Sequence, residues 1–238
     1  MAEIDAPITL TGLFGADSDE SSKEEDFEEV YEEQRIEVGG QSVFIRQFSF
    51  HPKNANRIWK GTLVTADFMN QLANRVPGLK ERRFLELGSA TGVLAISMRK
   101  NGFTSITTSD YDDLQIQENI DHNCLLNGIE PKLHFIGHTW GEALPRELEN
   151  QEFDYIIASD ILLYVDSYPS LVTTLCKLME GKSTLTMIMS WQRRMKESNT
   201  FFQLMERAGF VITDEGRRIY TICHGEQSSI AVGSVAQF

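Results

Sequence analysis

Through the middle of the chain, short apolar runs of strand length alternate with segments whose apolar residues recur at helical spacing. Residues 84–87 are one such run; a small-residue turn over 88–92 follows, and 93–99 reads as a helix closed by Asn101-Gly102. The Thr- and Ile-rich run 103–110 predicts a second strand, 114–127 a polar helix stopped at Asn127-Gly128, and 132–136 a third strand. Residues 153–160 have the character of a buried fourth strand. A helix over 167–178, a strand over 183–190 and a helix over 199–208, stopped by Gly209, come next. Two further strands, 210–212 and 218–223, have no helix between them, and 229–235 has the pattern of one more. Ahead of these, 35–38 and 41–48 alternate around Gly39-Gly40 as a hairpin, and 58–72 predicts a helix. The alternation specifies a doubly wound α/β domain with a mainly parallel sheet and an antiparallel C-terminal edge.

The first strand and turn carry the chemistry. A strand, a turn of small residues (Gly88, Ser89, Ala90, Gly92) and a helix start form a nucleotide-binding signature, because backbone can approach a ligand there and the helix offers free N–H groups. The second strand ends in Asp110, about 20 residues on, where a carboxylate accepts hydrogen bonds from ribose hydroxyls in βαβ nucleotide folds. Dinucleotides and S-adenosylmethionine share this geometry. The dinucleotide pattern requires a second glycine where Ala90 stands and a third beyond Gly92, so the details favour the methyl donor over a nicotinamide oxidoreductase. Glu86 is unusual in a buried strand and requires a partner. The fourth strand ends at Ser159-Asp160, which belongs at the same sheet edge; Asp160 reads equally as a ligand group and as the N-cap of the next helix. Trp59, at the entry of the 58–72 helix, and Trp140, in the loop after the third strand, each read as a core residue or as a pocket wall that can stack on a base.

Five stretches then fall in an ordered set: Ile58-Trp59, Leu85-Glu86-Leu87-Gly88, Thr108-Ser109-Asp110, Thr139-Trp140-Gly141, and 157–164 ending in Tyr164. Together they resemble the small methyltransferase-like protein methyltransferases, a group of the class I, seven-strand enzymes that modifies lysines on chaperones and elongation factors. The resemblance covers roughly residues 35–225. It implies a Rossmann-like, seven-stranded sheet, S-adenosyl-L-methionine as cofactor with S-adenosyl-L-homocysteine as product, and N-methylation of a protein side chain, lysine first, with histidine and arginine as other acceptors in the group. It also implies donor contacts from Trp59, Glu86, Gly88, Ser89, Ala90, Gly92, Asp110, Trp140 and Ser159, and catalytic roles for Asp160 and Tyr164. The family spacing is Asp-x-x-Tyr; here one more residue separates Asp160 from Tyr164. A catalytically silent interaction module of the same fold and a small-molecule methyltransferase are the alternatives.

Charge divides the chain. Residues 1–33 hold twelve acids and one base, so 11 of the 13 net negative charges lie there. They read as a solvated, disordered tail, and residues 34–238 as the methyltransferase domain with its hairpin at 34–50. A near-neutral domain lacks the basic face that nucleic acid requires. No apolar run approaches membrane-spanning length, and the acidic N-terminus is unlike a secretory leader. Cys124, Cys176 and Cys223 have neither disulfide nor metal spacing, and His134 and His138 lack a third ligand, so no metal is expected. The expectation is a monomer in the cytoplasm, with the nucleus also open to it, acting on a protein partner.

Overall fold

A computed structural model describes residues 31–48, 55, 57–192 and 196–225. The strand pattern of 229–235 and residues 1–30 of the acidic tail lie outside the described residues. A two-stranded hairpin, β1 (Tyr31–Val38) and β2 (Gln41–Phe48), comes first. Helix α1 (Lys60–Ala73) leads into β3 (Arg83–Leu87), α2 (Val93–Lys100), β4 (Ser105–Asp110), α3 (Leu114–Leu126) and β5 (His134–Gly137). Then follow α4 (Arg146–Asn150), β6 (Tyr155–Ser159), α5 (Tyr168–Met179), β7 (Thr186–Ser190), α6 (Thr200–Arg207), β8 (Phe210–Gly216) and β9 (Ile219–His224). The large sheet has seven strands in the order β5-β4-β3-β6-β7-β9-β8. All pairs are parallel except β7–β9 and β9–β8.

Alternation along the strands divides the core into two layers. Leu85, Leu87, Ile156, Ala158, Met187 and Met189 pack with Leu171, Leu175 and Leu178 of α5 and Phe201 and Met205 of α6. Phe84, Ile157 and Ile188 face the other way, onto Ala66 and Met69 of α1, Leu94 and Met98 of α2 and Ile116 and Ile120 of α3. The chain order reverses at β3, with β4 on one side and β6 on the other, so a crevice opens beyond the carboxyl ends of these two central strands.

The hairpin begins earlier than its pattern indicated: residues 31–33, grouped with the acidic tail by charge, are the start of β1, and the Tyr31 ring packs at a tilt against Phe48 across the pair. Side-chain amides dock it. Asn127 accepts from Phe44 N–H (2.9 Å) and donates back to Phe44 O (2.6 Å). Asn123 does the same for Arg46 and also donates to Thr91 O (2.9 Å) in the turn after β3. Spacing by four places these amides on one face of α3.

Candidate active site

The turn after β3 is held from β4. Gly88 N–H and Ser89 N–H both donate to Ser109 O, at 2.9 and 3.2 Å. Ala90 has φ +48°, a left-handed conformation that disfavours a Cβ, and its N–H donates to Asp110 Oδ2 at 2.7 Å. The other Asp110 oxygen accepts from Tyr111 N–H at 2.7 Å. Asp110 therefore fixes the turn as well as lining the crevice. A carboxylate accepts at about four positions, so hydroxyl groups of a ligand can still bind it. Gly88, at φ +69°, faces Ile161: a Cβ there would lie 2.6 Å from Ile161 Cγ2. Gly92 and Ser89 stand back from the crevice. Gly92 begins α2 at φ +74° and packs against Ile120, while Ser89 is buried.

Glu86 also stands back. It is 2 % exposed on the α2 side of β3, and its partner is the Ala95 amide in the first turn of α2. Burial pushes its carboxyl well above the usual range; the Ala95 amide opposes that and the nearby Asp110 charge adds to it. The partner this buried acid requires is thus a helix-start amide, while its Oε2 is buried without a hydrogen-bond partner among the described residues, and Glu86 supports the turn from beneath.

The turn after β6 is built differently. Asp160 is 5 % exposed and has φ +53°. It does not cap the following helix, which starts only at Tyr168 after a short 3₁₀ turn. Its Oδ2 accepts instead from Gly61 N–H at 2.8 Å, in the first turn of α1, 99 residues earlier in the chain. The carboxylate meets the positive end of that helix, and the contact fixes Trp59, the residue that opens α1. Gly61 is required: a Cβ would collide with Ser190 Oγ and lie 2.8 Å from Asp160 Oδ2. Ser159 Oγ and Thr62 Oγ1 share a hydrogen bond (3.1 Å) that fastens the same two elements. The extra residue before Tyr164 is absorbed by a tight turn in which Leu163 N–H donates to Ile161 O (3.0 Å), and Tyr164 still reaches the crevice, half-exposed at its rim.

These groups surround one cleft of about 250 Å³. Trp59, Gly88, Ala90, Asp110, Trp140, Ser159, Asp160 and Tyr164 all line it; Glu86, Ser89 and Gly92 do not. Tyr111, His138, Thr139, Ile161 and Leu163 line it as well; the sequence reading gave none of them a site role, although each sits inside or directly beside one of the ordered stretches. His138 N–H donates to Asp110 O (2.8 Å), and its Nε2 pairs with Thr174 Oγ1 (3.1 Å), which also accepts from Gly141 N–H (2.9 Å). This places Trp140 between two anchored residues. Burial lowers the His138 pKa, so the ring favours its neutral form. A cleft with indole walls, small residues on one side and a single ribose-type carboxylate fits a nucleoside carrying a compact chain. No group of three or more metal-ligating side chains occurs among the described residues.

The comparisons with known proteins agree with this geometry. A family profile described as lysine methyltransferase matches residues 42–208. The protein N-terminal and lysine N-methyltransferase efm7 of Aspergillus fumigatus is 26 % identical over 74 % of this chain and 72 % of its own length. EEF1A lysine methyltransferase 3 of Xenopus tropicalis is 30 % identical over 61 % of this chain and 62 % of its own length. Among solved structures, a protein of Streptococcus mutans assigned as a sam-dependent methyltransferase shares the fold with TM-score 0.53 and 13 % identity, over 82 % of this chain and 56 % of that one. The ordered motifs, the switch-point cleft and a profile spanning most of the chain converge: this protein belongs to the lysine methyltransferase family of class I enzymes, whose cofactor is S-adenosylmethionine.

Proposed function

We propose that the chain methylates a nitrogen of a translation factor of the EEF1A type, with Asp110 as the main polar contact to the donor and Asp160 as the group that orients the acceptor. The observation that carries this reading is the Asp160 carboxylate, fixed by Gly61 N–H on the wall of the same cleft that Asp110 lines. The relatives' names support the substrate class: one states EEF1A, and another states both protein N-termini and lysine.

When bound, S-adenosylmethionine supplies an electrophilic methyl group on a positively charged sulfur. Asp110 would hold the ribose hydroxyls, the Gly88–Ala90 backbone would lie against the amino-acid end, and Trp59 and Trp140 would wall the cleft. What remains for the protein is orientation. A lysine acceptor has to lose a proton first; with an ordinary pKa of ~10.4 this costs roughly 4–5 kcal/mol at neutral pH. Desolvation in an indole-lined cleft lowers that cost, whereas the Asp160 charge raises it. Asp160, a weak base, therefore aims the nitrogen, and Tyr164 at the rim guides its approach. The reading takes the enzyme as a cytoplasmic monomer, and the free thiols of Cys124, Cys176 and Cys223 are in keeping with a reducing compartment.

The test is incubation of the full chain with S-adenosylmethionine and recombinant EEF1A, followed by tandem mass spectrometry. Methylated lysine or a methylated N-terminus, lost in Asp160→Ala, is the expected result. Tight donor binding by calorimetry without methylation of EEF1A would reject the translation-factor assignment and favour the silent module or a different acceptor.

A further inference from the structure

On the side of Asp160 away from the β3 turn lies a second, much smaller recess of about 10 Å³, lined by Gly61, Asp160, Ser190, Trp191, Gln192 and Arg218 among others. It matches one oxygen atom in size. Two of its side chains carry buried polar atoms without a hydrogen-bond partner, Ser190 Oγ and Trp191 Nε1, in residues that are 1 % and 8 % exposed. Buried polar atoms are nearly always paired, so two in residues that line one oxygen-sized recess require an explanation. An indole N–H can only donate, and a serine hydroxyl can donate too. The recess therefore selects an acceptor oxygen.

The recess is built from the sheet upward. Asp160 N–H donates to Ser190 O (3.0 Å), and Trp191 N–H donates to Arg218 O (2.9 Å), so backbone sets the spacing of its walls. The Trp191 ring is clamped edge-on between Phe202 (4.8 Å) and Tyr220 (5.7 Å). Arg217 and Arg218 form the β8–β9 turn with φ of +51° and +71°, a left-handed pair without glycine. Such strain persists only where surrounding structure holds it. It leaves the exposed Arg218 at the mouth, with its Nη1 donating to Gln192 Oε1 (2.9 Å).

The geometry points to a single-oxygen subsite that receives a main-chain carbonyl of the acceptor protein while the acceptor nitrogen lies against Asp160. This rests on the acceptor role proposed for Asp160, which lines both the cleft and the recess. A carboxylate ligand is disfavoured because Asp160 itself forms one wall; a neutral carbonyl meets two donors without like-charge repulsion. The subsite gives the enzyme a hold on the acceptor's backbone that is independent of the methyl donor.

Two substitutions separate the donors from the packing. Trp191→Phe keeps an aromatic ring and removes the N–H; Ser190→Ala removes the hydroxyl. Each should raise KM for EEF1A about tenfold, with kcat within twofold and S-adenosylmethionine affinity unchanged. Unchanged KM in both variants would mean that the recess holds solvent only, and equal losses of donor affinity would make it part of the cofactor cleft; either overturns the proposal. A second arm needs no turnover and so stands if EEF1A is not the substrate. The indole ¹⁵N–¹H signal of Trp191, assigned by its loss in Trp191→Phe, is followed during titration with glycinamide, which carries an amine and a neutral carbonyl, and with ethylamine, which carries only the amine. A saturable shift with glycinamide alone, abolished by Ser190→Ala, is expected. No shift, or the same shift with both compounds, contradicts a carbonyl subsite.

Discussion

The turns after β3 and β6 leave neighbouring strands at the switch point, and each holds one non-glycine residue in left-handed backbone, Ala90 at φ +48° and Asp160 at φ +53°. The resemblance ends there. Ala90 contributes its N–H, and the carboxylate that holds it comes from the next strand, as Asp110. Asp160 carries the carboxylate itself and spends it on Gly61, tying the turn to a helix start far away in the chain. The first turn is a backbone cradle whose side chains are incidental. The second is a side-chain device whose backbone is strained to aim it. Each conformation costs about 1–2 kcal/mol, but only the second has a side chain to show for it.

Glycine at each position separates the two turns most clearly, since it relieves the same strain twice with opposite outcomes. Asp160→Gly should lower turnover on the acceptor by about a hundredfold, the scale on which a misplaced reacting group is felt. Asp160→Asn keeps an oxygen for Gly61 N–H and should lose less, about tenfold. Asp110→Ala strips two backbone amides of a charged acceptor and should weaken S-adenosylmethionine binding by about tenfold or more in calorimetry. Gly61→Ala forces a methyl against Ser190 Oγ and the Asp160 carboxylate; thermal unfolding should show a loss of about 1–3 kcal/mol, with turnover reduced and Ser89–Ala90 unaffected. Ala90→Gly should have the smallest effect, a gain of at most about 1 kcal/mol in stability with activity retained.

Two buried groups add opposite pH dependences to stability. Glu86 has a raised pKa in the fold, so its contribution is full below the ordinary carboxyl range and is lost as pH rises through the raised value. Glu86→Gln should therefore gain in Tm relative to the parent as pH increases. His138 has a lowered pKa, so the folded state loses stability as pH falls below the ordinary histidine value of ~6.5. His138→Gln should flatten that acid limb.

The sequence disclosed the parts whose meaning is local. The β3 turn, the acid that ends β4 and the alternating strands are read from neighbours within about twenty residues, and eight of the residues singled out do meet around one cleft. What it concealed depends on long separations. The Gly61–Asp160 contact joins residues 99 apart, and nothing beside Asp160 in the chain distinguishes a carboxylate that caps its own helix from one that caps another. The same holds for β1: acidic Glu32 and Glu33 look like tail until Arg46 and Gln47 pair with them across the hairpin. Glu86 is a case of its own. Its place in the motif suggested ligand contact, whereas strand alternation turns it beneath α2 and away from the cleft. Helix α4, five residues long, was too short for any periodicity to register.

The central claim is that Asp110 and Asp160 divide the work, one holding the donor and the other the acceptor. The most direct measurement pairs calorimetric S-adenosylmethionine affinity with single-turnover methylation for the parent and Asp160→Asn. Donor affinity should stay within about threefold while methyl transfer slows by about tenfold. Equal losses in both, or a donor affinity that collapses while transfer on saturated enzyme is unchanged, would contradict it.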